Sequence, residues 1–175
     1  MHEVIVRAET PEDVKAIDVV NLSAFEGEAE AQLVDAVRNR PGFIRDLSLV
    51  AEINGRIVGH VLLSPVAREG GKGRDRVLAL GPMSVVPSQS HRGIGSALIQ
   101  AAVNRARDMR YAAIVVAGHP DYYQRFGFRP ASDWGLETNL PCPGEAVSAM
   151  ELEAGALEGG GRIRYPDDFF RIYGG

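Results

Sequence analysis

The chain has 175 residues, 45% of them apolar and 24% charged: one domain's length, with enough apolar side chain for a sizeable core, which excludes a disordered or collagen-like chain. Its 19 basic and 23 acidic residues give a formal charge of −4, so no broad electrostatic attraction draws it to nucleic acid or an anionic membrane, and any bound anion must be held locally. With Cys142 as the single cysteine, no metal-site spacing of Cys and His, and no apolar run near the ~18 residues of a membrane span, the expectation is a metal-free cytoplasmic protein.

Val4, Val6 and Ala8 alternate with Ile5, Arg7 and Glu9 as in a short strand, so the amino terminus reads as a strand and not as a signal segment. A helix start follows. Thr10 is placed to cap it, Pro11 sits where a missing amide hydrogen does not matter, and Asp13 completes a capping box. Val14, Ile17, Val20 and Leu22 supply an apolar face, and a second helix is expected over residues 28–38, ended by Pro41 and Gly42. Residues 47–53 and 56–63 flank Asn54-Gly55, the commonest type of two-residue turn, and predict an antiparallel hairpin. Residues 69–76, with Gly70, Gly71 and Gly73, predict a loop.

Residues 77–86 are strand-like, but Pro82 after Gly81 has no amide hydrogen for a ladder, so a bulge or splay is expected there. Residues 92–110 place Ile94, Leu98, Ala101, Ala102, Ala106 and Met109 at helical spacing. Residues 112–117 form an unbroken apolar run, as in a strand buried on both faces. Strand, helix and strand in that order predict a parallel pair. From Ala131 onward the chain is rich in Pro and Gly, only residues 146–152 look like another strand, and too few apolar residues remain for a second core.

The segment from Val85 to Ser96 joins the strand to the helix. A turn that delivers Gly93 and Gly95 to a helix start exposes backbone N–H groups, and the helix dipole adds ~0.3–1 kcal/mol for a nearby anion. That makes a phosphate cradle; the competing reading is a tight strand-to-helix turn and nothing more. A dinucleotide fingerprint would need a third glycine where Leu98 stands, and a P-loop would need Gly-Lys-Ser/Thr.

Val85-Val86-Pro87, Arg92-Gly93-Ile94-Gly95 with Ala97-Leu98, and Tyr122-Tyr123-Gln124-Arg125-Phe126-Gly127-Phe128 together resemble the GNAT superfamily of acetyl-CoA-dependent N-acetyltransferases. Leu80-Gly81-Pro82, Gly118-His119-Pro120-Asp121-Tyr122-Tyr123 and Arg164-Tyr165-Pro166 are similar to its YhbS-like branch. The resemblance implies an α/β (α+β) fold: a mixed, mostly antiparallel central sheet with a splayed parallel pair, flanked by helices on both faces. It implies an N-acetyltransferase domain over residues 1–153 and a C-terminal extension over 154–175 packed on the same domain. It implies acetyl-CoA as acetyl donor, with the pantetheine arm along the backbone of Met83, Ser84 and Val85. The pyrophosphate would lie on Ser90, His91, Arg92, Gly93, Ile94, Gly95 and Ser96, with His119 and Tyr122 as further cofactor contacts. Backbone donors of this kind let an acidic chain hold a polyanion. Ser90 stands where the family usually carries Gln or Arg, and Arg92 or His91 is expected to substitute.

Acetyl transfer from a thioester to an amine needs a deprotonated amine, a stabilised oxyanion and a proton for the leaving thiolate. Tyr123, four residues before Gly127, matches the family's proton donor to sulfur; the alternative is a core aromatic beside Phe126 and Phe128. The resemblance implies that the oxyanion meets a backbone N–H near Ser84 or Val85. Residues 80–86 offer no carboxylate where many relatives carry one, so the general base stays open among Glu26, Glu28, His119 and a water chain. His60 and His2 are read as structural, and Trp134, Asn139 and Leu140 either border the acceptor pocket or pack. The expected function is transfer of acetyl from acetyl-CoA to an unidentified primary amine by direct attack in a ternary complex, without nucleic acid, membrane or metal. The alternative is a non-catalytic acyl-CoA-binding or sensing domain. A homodimer would follow by family analogy.

Overall fold

A computed structural model describes residues 3–70, 76–90 and 92–173. In chain order the elements are β1 (Ile5–Ala8), α1 (Val14–Ala24), α2 (Ala29–Arg38), β2 (Ser48–Ile53), β3 (Arg56–Glu69), β4 (Val77–Val85), α3 (Ile94–Asp108), β5 (Ala113–Ala117), α4 (Pro120–Gln124), β6 (Arg129–Pro130), β7 (Leu136–Thr138), β8 (Val147–Glu151), β9 (Gly161–Arg164) and α5 (Phe170–Tyr173). The chain falls into two compact units, residues 1–64 with 81–105 and residues 65–80 with 106–175, so β3 and β4 each contribute to both.

In the first unit β1, β2 and the start of β3 pair antiparallel, from Ile5↔Glu52 to Ala8↔Leu49 and from Ser48↔Leu62 to Ile53↔Arg56. The turn is the expected Asn54-Gly55, both with positive φ (53° and 78°), the backbone that a two-residue hairpin requires. At the first helix the Thr10 amide donates to Asp13 Oδ2 at 2.8 Å, and Arg7 adds an ion pair to the same carboxylate at 2.7 Å. Ile17 and Val20 are buried, but Leu22 is 45% exposed. Two residues along a helix is a rotation of about 200°, so Leu22 cannot share a face with Val20. α3 begins two residues later than its apolar spacing suggests, because Gly93 has a φ of +77° that no α-helix accommodates; Ile94, Leu98, Ile99, Ala102 and Ala106 then bury its inner face.

A buried polar chain runs through this unit. Ser48 Oγ donates to Glu9, which also accepts from Arg38, and Ser48 Oγ lies 2.8 Å from His60 Nε2. Because the serine's one proton goes to the carboxylate, His60 donates through Nε2, leaving Nδ1 a bare acceptor without a partner. Burial, with Arg38 adding to it, pushes the His60 pKa down to about 3. The structural reading of His60 describes its position well.

In the second unit the first four residues of β4 pair in parallel with β5, from Val77↔Ala113 to Leu80↔Val116. β8 pairs antiparallel with β5, and β6 with β8. The fold is thus a mixed α/β arrangement, mostly antiparallel, with the expected parallel pair. The tail differs from its sequence reading: besides β8 it forms β7 and β9, which pair in parallel, and β9 also pairs antiparallel with the end of β3. Strands of three and four residues are too short to show alternation. Glycines at 160 and 161 are what let the backbones meet: a Cβ on Gly160 would sit 2.6 Å from the Trp134 carbonyl oxygen, and one on Gly161 would sit 2.5 Å from that of Glu69. Arg68, buried, donates from Nη1 to the Ala156 carbonyl at 2.6 Å and from Nη2 to the Gly160 carbonyl at 2.7 Å, and Leu157, Ile163, Tyr165 and Phe169 are buried.

Candidate active site

The parallel ladder of β4 stops at Leu80, where the Gly81-Pro82 sequence begins. Beyond it, in the first unit, Met83 and Val85 are half-buried, and Ser84 is buried with its Oγ lacking a hydrogen-bond partner. Val86 donates its amide to the Val58 carbonyl at 2.8 Å, then Pro87–Gln89 make a 3-10 turn. Ser90 closes this turn, with Oγ donating to the Pro87 carbonyl at 2.8 Å, so the serine at the family's Gln or Arg position is bound into its own loop. Arg92 is exposed, and His91 lies outside the described residues.

The first helical bond of α3 runs from the Ala97 amide to the Gly93 carbonyl at 3.0 Å. Ile94, Gly95 and Ser96 therefore present first-turn amides with no intrahelical acceptor. A Cβ on Gly93 would meet nothing within 4 Å among the described residues. One residue that sequence reasoning passed over supports the turn: a Cβ on Gly59 would stand 3.0 Å from Leu98 Cδ1, 3.1 Å from the Ser84 carbonyl oxygen and 3.2 Å from Ile94 Cγ2. Glycine there lets β3 approach the residues that carry the loop.

The second unit brings His119, Tyr122 and Tyr123 together on one short helix. The His119 carbonyl accepts the Tyr122 amide at 3.1 Å, while the His119 side chain is exposed. Tyr123 is half-buried, edge-on to Tyr122 at 5.2 Å and to Phe128 at 5.8 Å between ring centroids. Its ring also lies against Gly118, where a Cβ would be 2.9 Å from Cε2. Burial, then the neighbouring Tyr122, pushes the Tyr123 phenol up to about 12, further above neutral than an ordinary phenol. Tyr123 thus packs among aromatics and holds a proton at once. Glu26 and Glu28 are exposed between α1 and α2 of the first unit, with Glu28 in contact with Gln32.

Tyr165, singled out in the sequence only as part of Arg164-Tyr165-Pro166 and given no role there, is held in place by one side chain. Asn139 clamps it from both sides, Oδ1 accepting its amide at 2.7 Å and Nδ2 donating to its carbonyl at 2.9 Å, and the ring meets Phe169 edge-on at 5.2 Å. Its hydroxyl is buried without a partner. Among the described residues no group of three or more His, Cys, Asp or Glu side chains could hold a metal ion, and no helix is long and apolar enough to cross a membrane.

A family model for the acetyltransferase (GNAT) domain matches residues 45–130, which contain both the Ser90 to Ser96 loop and Tyr123. The chain is 32% identical over 171 residues to the uncharacterized N-acetyltransferase YhbS of Escherichia coli (strain K12), spanning 96% of this chain and 99% of that protein. The chain belongs to the GNAT acetyltransferases. This GNAT fold is similar to the crystal structure of Escherichia coli YhbS in complex with CoA, with a TM-score of 0.88 and 31% identity over 97% of this chain and 93% of that one. It is also similar to a GNAT family acetyltransferase from Brucella melitensis in complex with acetyl-CoA, with a TM-score of 0.78 and 28% identity over 97% and 99% of the two chains.

Proposed function

We propose that this GNAT acetyltransferase moves the acetyl group of acetyl-CoA to a primary amine by direct attack in a ternary complex, with Tyr123 giving the proton to the CoA thiolate. The chain's residues fit the cosubstrate: first-turn amides of Ile94, Gly95 and Ser96 without intrahelical acceptors suit a pyrophosphate, and no described atom lies within 4 Å of where a Gly93 Cβ would stand. The backbone of Met83 to Val85, past the end of the β5 ladder, suits an amide-bearing arm. That CoA and acetyl-CoA are bound by the Escherichia coli and Brucella melitensis relatives supports the same donor here.

Acetyl-CoA supplies an activated acyl carbon. The amine, having lost a proton to water or to the His119 imidazole, forms the N–C bond as the C–S bond breaks; the nitrogen gives its second proton to water, and the thiolate takes the Tyr123 proton, which solvent replaces. The observation that carries this reading is the placement of the Tyr123 phenol, its ring seated against Gly118 and held edge-on by Tyr122 and Phe128. The test is Tyr123→Phe in an assay of free thiol release. We expect kcat to fall about 100-fold, the lower end for loss of a general acid, with acetyl-CoA affinity unchanged. Unchanged turnover would remove Tyr123 from the chemistry. No carboxylate lies on β4, which favours the acyl-CoA-sensing reading as the second choice; it prevails if acetyl-CoA raises the Tm while no amine elicits thiol release.

A further inference from the structure

Where β5 ends, Ala117, Gly118, His119 and Pro120 form one side of a cavity of about 350 Å³ contained in the second unit. The segment that precedes β8 supplies Cys142, Pro143, Glu145 and Ala146, and α5 supplies Tyr173. Three properties of this cavity bear on the unidentified acceptor. Its position comes first: Gly118 is both a wall of the cavity and the residue against which the Tyr123 ring packs, so one glycine separates the two. Its size comes second, at the small end of the ~300–1,000 Å³ range of small-molecule sites and well short of what an extended peptide fills. Its chemistry comes third. The walls are largely apolar, Glu145 is the one carboxylate among the lining residues, and no Lys or Arg lines it. An apolar cleft with a single negative charge at its rim favours a cation that carries an apolar body.

Tyr165 gives an independent indication that a polar partner belongs near this space. Buried hydroxyls are normally hydrogen-bonded, and this one is not. The Tyr165 phenol lies near two of the lining residues, Tyr173 and Cys142, and near Tyr123, and burial above all raises its pKa well above the ordinary value.

We infer that this cavity receives the acceptor, and that the acceptor is a small primary amine with an apolar body, its ammonium drawn in by Glu145 and its body packed on Ala117, Pro143 and Ala146. The inference rests on the acetyl-transfer reading above. The bound ammonium loses one proton before its nitrogen forms the bond to the acyl carbon and a second as the amide forms; the C–S bond breaks and the thiolate takes up one proton, so one proton net is released to solvent per turnover.

The test is a panel of amines with acetyl-CoA: phenethylamine, tryptamine and isoamylamine against spermidine, an aminoglycoside and a peptide with a free amino terminus. The apolar monoamines are expected to be turned over best. Glu145→Lys, an exposed position that leaves the fold intact, is expected to raise their KM about tenfold with the acetyl-CoA Kd unchanged, and Ala146→Phe, which fills the cavity, to raise it at least as much. Should Ala146→Phe fail to fold, Glu145→Lys decides alone. Turnover confined to the polyamine, aminoglycoside or peptide overturns the inference and leaves acetyl transfer standing, as does a KM for the monoamines that neither variant moves. If acetyl-CoA raises the Tm but nothing in the panel is acetylated, the acetyl-transfer reading falls as well.

Discussion

Two ionisable side chains, His60 buried and Tyr123 half-buried, show one physical cause acting on groups of opposite charge type. Burial raises the pKa of the Tyr123 phenol and lowers that of the His60 imidazole, because in each case it disfavours the charged form. For Tyr123 the shift makes the phenol a weaker acid than an ordinary tyrosine, so its donation depends on a thiolate held close by; His60 is kept uncharged beside Ser48, which suits a group sharing its neighbourhood with Arg38. For His60 the folded value of about 3 lies below the ordinary 6.5, so its contribution to stability is whole above about pH 6.5 and is lost as pH falls toward 3. Asp13, held down to about 2 chiefly by its hydrogen bond from Arg7, loses its contribution only below the ordinary carboxylate value of 3.8. Urea midpoints of the wild type should therefore decline between about pH 6.5 and 4, and His60→Leu should flatten that decline. An equally steep decline in the variant would show that other groups drive the acid sensitivity.

Among the elements, β3 and the start of α3 are coupled by the absence of a side chain at Gly59. A Cβ there would press on the Ser84 carbonyl oxygen as well as on Leu98 and Ile94, and backbone does not yield as a flexible side chain does. Gly59→Val is expected to destabilise the protein by about 1–3 kcal/mol, the usual range for overpacking, and to weaken acetyl-CoA binding because Ser84 and Ile94 carry the loop. Calorimetry with acetyl-CoA, read beside the Tm, checks both parts; wild-type affinity would mean that the loop is indifferent to this contact. The legible elements were those with a strong local signal. Asn54-Gly55 marks its hairpin unaided, and the apolar run at residues 112–117 announces β5. β7 and β9 carry no such signal, and Leu22 fits its expected helical face poorly once the true rotation is seen.

For the molecule as a whole, the C-terminal residues 154–175 are expected to be indispensable and not an appendage. They supply β9 to the edge of β3, the carbonyls of Ala156, Glu158 and Gly160 to the Arg68 guanidinium, and the buried side chains of Leu157, Ile163, Tyr165 and Phe169. Full burial of a large apolar side chain is worth roughly 1.5–3 kcal/mol, so four of them approach the ~5–15 kcal/mol that holds a typical domain together. Removing them would also leave Arg68 buried or newly exposed without its acceptors. A chain ending at Glu153 is expected to be insoluble or unfolded; a soluble product with a cooperative melt near the wild-type Tm would show that the remaining strands suffice.

By itself the sequence determined what depends on near neighbours: the hairpin turn, the capped first helix, the amphipathic α3, the glycines at its start and the tyrosine helix, each specified by backbone preference or short-range periodicity. Tertiary structure alone decided what depends on distant segments meeting. Gly59 against Ser84, Gly118 against Tyr123, Gly160 against the Trp134 carbonyl and the unpartnered Tyr165 hydroxyl are facts of close approach between residues remote or unpatterned in sequence. The cavity that joins Gly118 to Glu145 and Tyr173 is of the same kind, since a void has no sequence pattern and exists only where packed segments fail to fill the space between them.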